Sequence, residues 1–415
     1  MNLFVLIMVY LSLYLGLFTL TLFLLSFLGK EKKKFKDIGH PQVSILIPAY
    51  NEQAALEKTV ESAAMLDYPK SRFEIIIIDD GSTDKTSKIS KELIKKYENV
   101  KYYWKENGGK GSALNFGIKK SKGDFIVTLD ADSFVNNDAL KLMMPHFSNP
   151  KVMAVTNAMK VYEPKTFFQR IQAIEYDLGI FFRKSFSNMQ GINVTPGPFS
   201  IIRKTFFKKY GGYDEHNLTE DMEMAMRIQS YNYLIENEPK AIVYTVAPRN
   251  FLSLLKQRRR WYVGTINIWK TYRKLFGKSF GEFGLFVLPL AVISVIATLF
   301  VTVYYVSRGL VDSFRHFMLY SKIGYDFFNN MNFQIYYVID NIYNSLSEGV
   351  LFFAVFFMIF TIILLIVLNK KIGSGENAIR TFINYLLFMV TYGILYSFWW
   401  VVATLYSISG RRVKW

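Results

Sequence analysis

The chain has 415 residues, a formal charge of +17 and no cysteine. Without thiols there is no disulfide, no thiolate nucleophile and no thiolate metal site. The positive surplus does not call for nucleic acid, because part of it flanks apolar stretches long enough to cross a bilayer, where basic residues mark the cytoplasmic side and attract anionic lipid.

The first such stretch, Leu3 to Gly29, contains no charged residue. It lacks a small-x-small cleavage site and reads as an anchor rather than a removed signal. Lys30, Lys32, Lys33, Lys34 and Lys36 follow at once, which places the mixed polar segment beyond them on the cytoplasmic side. That segment, about 200 residues, is enough for one well-cored domain.

Val43 to Pro48 is a short apolar run rich in β-branched residues and reads as a buried strand. Ala49-Tyr50-Asn51-Glu52 follows as a loop, then a helix from about Gln53 to Leu66. Glu74 to Asp79 is a second, Ile-rich strand ending in Asp79-Asp80-Gly81-Ser82-Thr83-Asp84, and a helix begins near Asp84. Val100 to Trp104 is a third strand, and Asn107-Gly108-Gly109-Lys110-Gly111 leads from it into another helix. Asp124 to Leu129 is a fourth strand that runs straight into Asp130-Ala131-Asp132. This alternation predicts a parallel, doubly wound α/β sheet. Consecutive right-handed βαβ units open their strand ends on one edge, where open α/β sheets bind ligands. Asn51 and Glu52, Asp79 and Asp80, and Asp130 and Asp132 therefore converge. Paired carboxylates such as Asp130 and Asp132 are what a hard divalent cation needs when it holds a diphosphate; taken alone, the same pattern also makes an ordinary turn and helix cap.

The second half is less regular. Val152 to Thr156 and Pro198 to Arg203 read as strands around a long helix, about Thr166 to Ser187. Leu218-Thr219-Glu220-Asp221 opens another helix, with Thr219 as its N-cap. From Phe251 onward, helical spacing puts Leu255, Tyr262, Ile266 and Trp269 on one side and Gln257 and Arg260 on the other. The helix is expected to lie on the membrane surface, with Gln257 and Arg260 turned toward the domain and Arg258 left on the apolar side, where it must either snorkel or disrupt this picture. A basic helix that merely binds lipid headgroups would carry the same charges.

Three more apolar stretches follow: Gly284 to Ser307, Gly349 to Asn369, and Thr381 to Gly410. The loop from Arg308 to Glu348 is not enriched in basic residues, which fits the outside, and Lys370, Lys371 and Arg380 return the next loop inside. Four spans put the C-terminus outside, against its basic ending Arg411-Arg412-Val413-Lys414-Trp415. A fifth membrane element within 331–347, or a re-entrant last segment, would reconcile the two. The last stretch carries Phe382, Tyr385, Phe388, Tyr392, Tyr396, Phe398, Trp399 and Trp400. These suit a wall that stacks sugars, although residue by residue the commoner use is lipid-facing or interfacial. His40, His146, His216 and His316 are scattered and form no metal-ligand pattern. Two sequons, at Asn193 and Asn217, lie on the side read as cytoplasmic and are taken as chance.

Several of these segments together resemble the membrane-embedded, processive synthases of glycosyltransferase family two. That group includes the cellulose, chitin, hyaluronan and poly-N-acetylglucosamine synthases. The matching pieces are Pro48-Ala49-Tyr50-Asn51-Glu52, Asp79-Asp80-Gly81-Ser82, Gly109-Lys110-Gly111-Ser112-Ala113-Leu114-Asn115, Asp130-Ala131-Asp132, Thr219-Glu220-Asp221 and Gln257-x-x-Arg260-Trp261. They stand in the family's order over roughly 43–262, and the last two mark the processive members. The resemblance implies an α/β domain of the GT-A type, which binds nucleotide diphospho-sugars, inserted between transmembrane helices. Its expected layout is an anchor at 1–29, a cytoplasmic GT-A domain at 30–250, an interfacial helix at 251–283 and about three spans in 284–415. Tyr50, Glu52 and Asp80, with Pro48 beside them, would form the uridine side of a UDP-sugar site, and Lys110 would reach the nucleotide or its phosphates. Asp130 and Asp132 would carry Mg²⁺ or Mn²⁺ against the diphosphate. Asp221 would be the general base, with Glu220 next to it. Gln257, Arg260 and Trp261 would close the site around the diphosphate and the acceptor sugar. Pro196-Gly197-Pro198 resembles the small-residue turn under the acceptor, with proline in place of the usual small residue. Glu175-Tyr176 would face the acceptor or pack.

The implied activity is inverting transfer from a UDP-sugar, UDP-GlcNAc first, to a growing β-linked polysaccharide, coupled to export across the cell membrane. So few spans leave little material for a tunnel, so a homodimer or an accessory subunit is expected. One rival is a single transfer to a lipid acceptor, a ceramide or a polyprenyl phosphate; Gln-x-x-Arg-Trp argues against it, and product length on a gel separates the two. The other is a catalytically silent membrane scaffold or transporter. Asp130, Asp132 and Asp221 argue against that, and absence of UDP release with every donor would favour it.

Overall fold

The structure, a computed structural model, describes residues 3–29, 35–323 and 378–410 with single positions at 355, 359 and 362. The lysines at 30–34, nearly all of the third apolar stretch, the segment 331–347, Lys370 and Lys371, and the basic ending from Arg411 lie outside the described residues, as does the side chain of Phe382. The chain divides into two units, one of Phe23–Leu288 with residues from Val402 on, the other of residues through Leu22 with Pro289–Val401.

The chain opens with α1 (Leu3–Leu28), 26 uncharged residues. In the first unit β1 (Val43–Ala49), α2 (Leu56–Ala64), β2 (Phe73–Asp80), α3 (Thr86–Lys96), β3 (Val100–Lys105), α4 (Lys110–Lys120) and β4 (Phe125–Thr128) alternate. β1 pairs in parallel with β2 and β4, and β2 with β3. The isoleucines divide with the strand period of two. Ile45, Ile47, Ile75 and Ile77 pack on one face with Leu56 and Val60 of α2. Leu46, Ile76 and Ile78 pack on the other with Ala113 and Leu114 of α4. Burial on both faces explains why these strands read as continuous apolar runs.

Beyond β4 come β5 (Ser133–Val135), α5 (Ala139–Met143), β6 (Val152–Val161), α6 (Phe167–Asn188), β7 (Ser200–Arg203), α7 (Lys204–Tyr210), α8 (Glu220–Ser230), β8 (Leu234–Thr245) and α9 (Phe251–Thr271). The sheet has eight strands in the order β3-β2-β1-β4-β7-β6-β8-β5. It is mixed rather than wholly parallel: β7 runs antiparallel to β4 and β6, and β5 antiparallel to β8. The strand–helix alternation ends at β4: only residues 129–132 lead from it to β5, without a helical crossover, and β5 joins the far edge beside β8 instead of extending the parallel run. Thr166 caps α6 in a capping box with Gln169, and Asn250 caps α9 through Ser253. Thr219 does stand at the N-cap position of α8, but its side chain makes no cap bond. Its hydroxyl instead turns toward Asn217 Oδ1 at 3.4 Å.

The other unit contains most of α1, α10 (Leu288–Ile323) and all but the end of α11 (Ala378–Ile408). Among the described residues, Phe283–Leu319 and Tyr385–Ile408 are long and apolar enough to cross a membrane, and α1 carries the shorter apolar stretch Leu13–Ser26. Among the α11 aromatics Phe398 is exposed, whereas Tyr385, Phe388, Trp399 and Trp400 are buried. Phe388 stacks on Tyr392 with ring centroids 4.5 Å apart, and Tyr392 meets Trp399 edge-on. Such ring pairs draw large side chains inward.

Gly123 enters β4 so close to β1 that a Cβ there would lie 2.6 Å from Ser44 N and 2.7 Å from the Val43 carbonyl carbon. Backbone cannot yield as a side-chain tip can, and overpacking of this kind costs roughly 1–3 kcal/mol. Gly123→Ala should therefore lower the thermal unfolding midpoint of the purified protein by several degrees, read by calorimetry.

Candidate active site

The site is built at the carboxyl ends of the parallel strands. At the end of β2, Asp79 accepts Ser82 N at 2.8 Å and the Tyr102 hydroxyl at 3.0 Å, which shapes the turn. Asp80 accepts Lys105 Nζ at 2.6 Å, Gly108 N at 3.1 Å and Gly109 N at 2.8 Å. Both its oxygens are thus spent on the loop that starts α4. Gly109 adopts φ +85° there, a left-handed geometry that glycine takes without a Cβ penalty. Asn51 ties the loop after β1 to the same region by accepting Thr83 N at 2.8 Å.

Lys110, the first residue of α4, reaches Asp130 Oδ1 at 2.6 Å and Glu220 Oε1 at 3.1 Å. Burial works against its charge, but Asp130 and Glu220 outweigh it and hold the ammonium above its ordinary pKa. Gly197 backs directly onto this pair: a Cβ there would lie 2.5 Å from Lys110 Nζ and 2.7 Å from the Asp130 carboxylate. Thr195, two residues earlier, donates its hydroxyl to the Asp221 carbonyl at 2.8 Å. The Asp221 carboxylate accepts Met222 N at 2.8 Å. Burial, then the neighbouring Glu220, pushes Asp221 up to about 6, against the opposing pull of Lys110 and Arg260.

Asp132 is likewise raised to about 6 by burial and by Asp130. Glu52 is raised to about 7 by burial, then by Asp132, Asp130 and Asp84. Glu52, Asp130 and Asp132 therefore repel one another in a partly desolvated place, the electrostatic condition that a divalent cation relieves. Among the described residues no group of three or more His, Asp or Glu gathers as a complete metal shell. The Asp130–Asp132 pair suits an ion that takes one or two carboxylates and completes its shell with substrate phosphates and water.

Helix α9 brings the remaining groups. Gly264 packs on Thr219, where a Cβ would come within 2.6 Å of the threonine side chain. Tyr272, just past the end of α9, donates to Glu223 Oε1 at 2.5 Å, while Arg227 of α8 itself holds the other Glu223 oxygen at 2.7 Å. The Gly264 and Tyr272 contacts join α9 to α8. Gln257, Arg260 and Trp261 then line a cavity of about 470 Å³ together with Lys110, Asp130, Asp132, Glu220 and Asp221, a size suited to a small organic ligand.

Residues 44–211 match the family model for glycosyl transferase family 2. A poly-β-1,6-N-acetyl-D-glucosamine synthase of Staphylococcus epidermidis is 30% identical over 292 residues, which cover 69% of this chain and 68% of that one. The chain belongs to glycosyl transferase family 2. A second synthase of the same name, from S. epidermidis strain ATCC 35984, is 34% identical over 224 residues, 54% of each chain. The glycosyltransferase thus spans about two thirds of the first relative and about half of the second. Its fold is GT-A-like: a mannosyltransferase from Pyrobaculum calidifontis, solved in complex with GDP-Man and Mn²⁺, superposes with a TM-score of 0.55 at 18% identity, covering 74% of this chain and 92% of that one.

Pro48, Tyr50, Glu52 and Asp80 are not among the residues that line the cavity. Pro48 lies in β1 opposite Ile78, Tyr50 is half exposed, and Asp80 acts on the Gly108–Gly109 loop. Arg258 departs from the expected snorkelling position. It is fully buried and pairs with Glu175 on α6 at 2.6 Å; a carboxylate offered from inside the domain makes burial feasible. Glu175 and Tyr176 both line the cavity, and Tyr176 also packs on Val161 and Ala247. Arg183 lines the cavity without having been picked out by any motif. It donates to the Asn157 carbonyl at 3.0 Å, and burial pushes it down to about 10. The only signal for it in the sequence was helical spacing, since 176, 179 and 183 share one face of α6.

Adding a methyl group at Gly264 should push α9 away from α8. A shift of about 1 Å in catalytic geometry costs on the order of 10²-fold in rate. Gly264→Ala should lose transfer activity on that scale while a thermal melt shows the fold retained.

Proposed function

We propose that this glycosyltransferase polymerises N-acetylglucosamine from UDP-GlcNAc into a β-linked polysaccharide at a membrane. The supporting observation is that the α9 residues Gln257, Arg260 and Trp261 line the same cavity as Asp221 and the Asp130–Asp132 pair. One cavity can therefore hold a donor diphosphate and an acceptor sugar together. The relatives named as poly-β-1,6-N-acetyl-D-glucosamine synthases favour a polymer product over a ceramide or polyprenyl phosphate acceptor. The proposed layout has an anchor at 1–29, the cytoplasmic catalytic domain at 30–250, the α9 region at 251–283 and a membrane region at 284–415. Export would run through the membrane region, with a second copy or an accessory subunit supplying further helices.

A sugar hydroxyl is a poor nucleophile until its proton is removed as attack proceeds. Asp221 takes that proton. Single displacement inverts the anomeric centre, so an α-linked donor gives a β-linkage, and no second carboxylate is needed as a covalent nucleophile. Arg260 and Lys110 stand ready-charged where the diphosphate leaves, and preorganised charge of this kind stabilises the transition state without reorganisation. Asp130 and Asp132 are the residues that would hold Mg²⁺ or Mn²⁺, which neutralises diphosphate charge when bound. Tyr50, Glu52 and Pro48 flank the nucleoside side, and Asp80 serves it by fixing the loop ahead of Lys110. Trp261 offers an indole face to the acceptor sugar.

Asp221→Asn should reduce transfer about 10²–10⁴-fold while UDP binding, followed by calorimetry, survives. A base works only when ionised. With Asp221 raised to about 6, kcat/KM should fall on the acid side of pH 6, approaching tenfold per pH unit. The residual activity of Asp221→Asn should lack that limb.

A further inference from the structure

The Gln-x-x-Arg-Trp segment contains Arg258, which no role above explains. Its side chain is 1% exposed, whereas Lys256 and Lys270 of the same helix are exposed. Nη2 lies 2.6 Å from Oε2 of Glu175, a residue that is 20% exposed in the cavity wall. The same guanidinium sits 4.3 Å over the Trp261 ring. Glu175, Arg258 and Trp261 thus form a row that crosses from α6 to α9 and ends in the cavity. A buried ion pair is weak evidence for stability, because desolvation offsets its attraction. A guanidinium held over an indole does fix the orientation of the ring.

We propose that the Glu175–Arg258 pair positions Trp261 as the platform for the acceptor, and so governs acceptor affinity and product length rather than donor activation. This rests on the polymerase reading, in which Trp261 receives the acceptor. The guanidinium covers one face of the indole, and the Glu175 bond prevents it from swinging away. The donor-side groups Lys110, Asp130 and Asp132 are held by α4, the loop after β4 and the Gly197 turn, none of which carries a member of the row. Arg258 is therefore a positioning residue that acts through Trp261.

The test uses the full chain, UDP-GlcNAc as donor and a β-linked N-acetylglucosamine oligosaccharide as acceptor, with UDP release and product length measured together. Arg258→Met should raise KM for the oligosaccharide about tenfold and shorten the product, with KM for UDP-GlcNAc holding near the wild-type value. The double variant Glu175→Leu/Arg258→Met leaves no unpaired buried charge, so it should fold and show the same split. Arg258→Lys retains a cation for Glu175 but loses the guanidinium over the ring, and should fall between Met and the wild type. Unchanged product length in both Met variants would overturn the proposal, as would a parallel rise in both KM values. Failure of both Met variants to fold would make the pair a stability element and also overturn it. A wild-type protein that releases no UDP from UDP-GlcNAc would instead remove the donor reading, and this inference with it, before any variant is compared.

Discussion

The site depends on one ammonium group. Lys110 stands between Asp130, which follows the parallel strand β4, and Glu220, which opens α8. It is the bridge between the parallel half of the sheet and the irregular second half. Asp132 and Asp221 lie near it with raised pKa values, so without that cation the cluster would repel itself in a desolvated place. What puts Lys110 there is a sequence of local causes. Ile-rich strands buried on both faces bring β2 and β4 side by side with β1. Asp80 gathers the amides of Gly108 and Gly109. Gly197 leaves room for the ammonium because it has no side chain.

The second half of the site is delivered by docking rather than by the sheet. Helix α9 approaches α8 closely only because residue 264 is glycine, and Tyr272 reaches across the contact to the Glu223 carboxylate, which Arg227 of α8 holds in place. The helix expected to rest on lipid is thereby a wall of the cavity, with Gln257, Arg260 and Trp261 facing Asp221.

How much of this was legible in the sequence varied with the physics of each segment. The parallel half was readable because βαβ units bury their strands completely, leaving unbroken runs such as Ile75 to Ile78. The acidic clusters at the strand ends were readable because topology alone sends them to one edge. β5 escaped notice because three residues carry no periodicity, and β8 because Glu236, Glu238 and Lys240 interrupt its apolar pattern. The burial of Arg258 was not legible because a helical wheel cannot see the Glu175 that it meets on α6. Arg183 belongs to no motif, and only the packing of α6 turns it inward. For both arginines a tertiary contact, absent from any local window, decided the outcome.

The most direct measurement is a structure of the full chain with UDP and Mn²⁺, using the anomalous signal of the metal. The account requires the ion at Asp130 or Asp132, the diphosphate within reach of Lys110 and Arg260, and the Asp221 carboxylate opening on the same space. A nucleotide seated elsewhere on the domain, or a metal distant from both aspartates with Asp221 facing away, would contradict it.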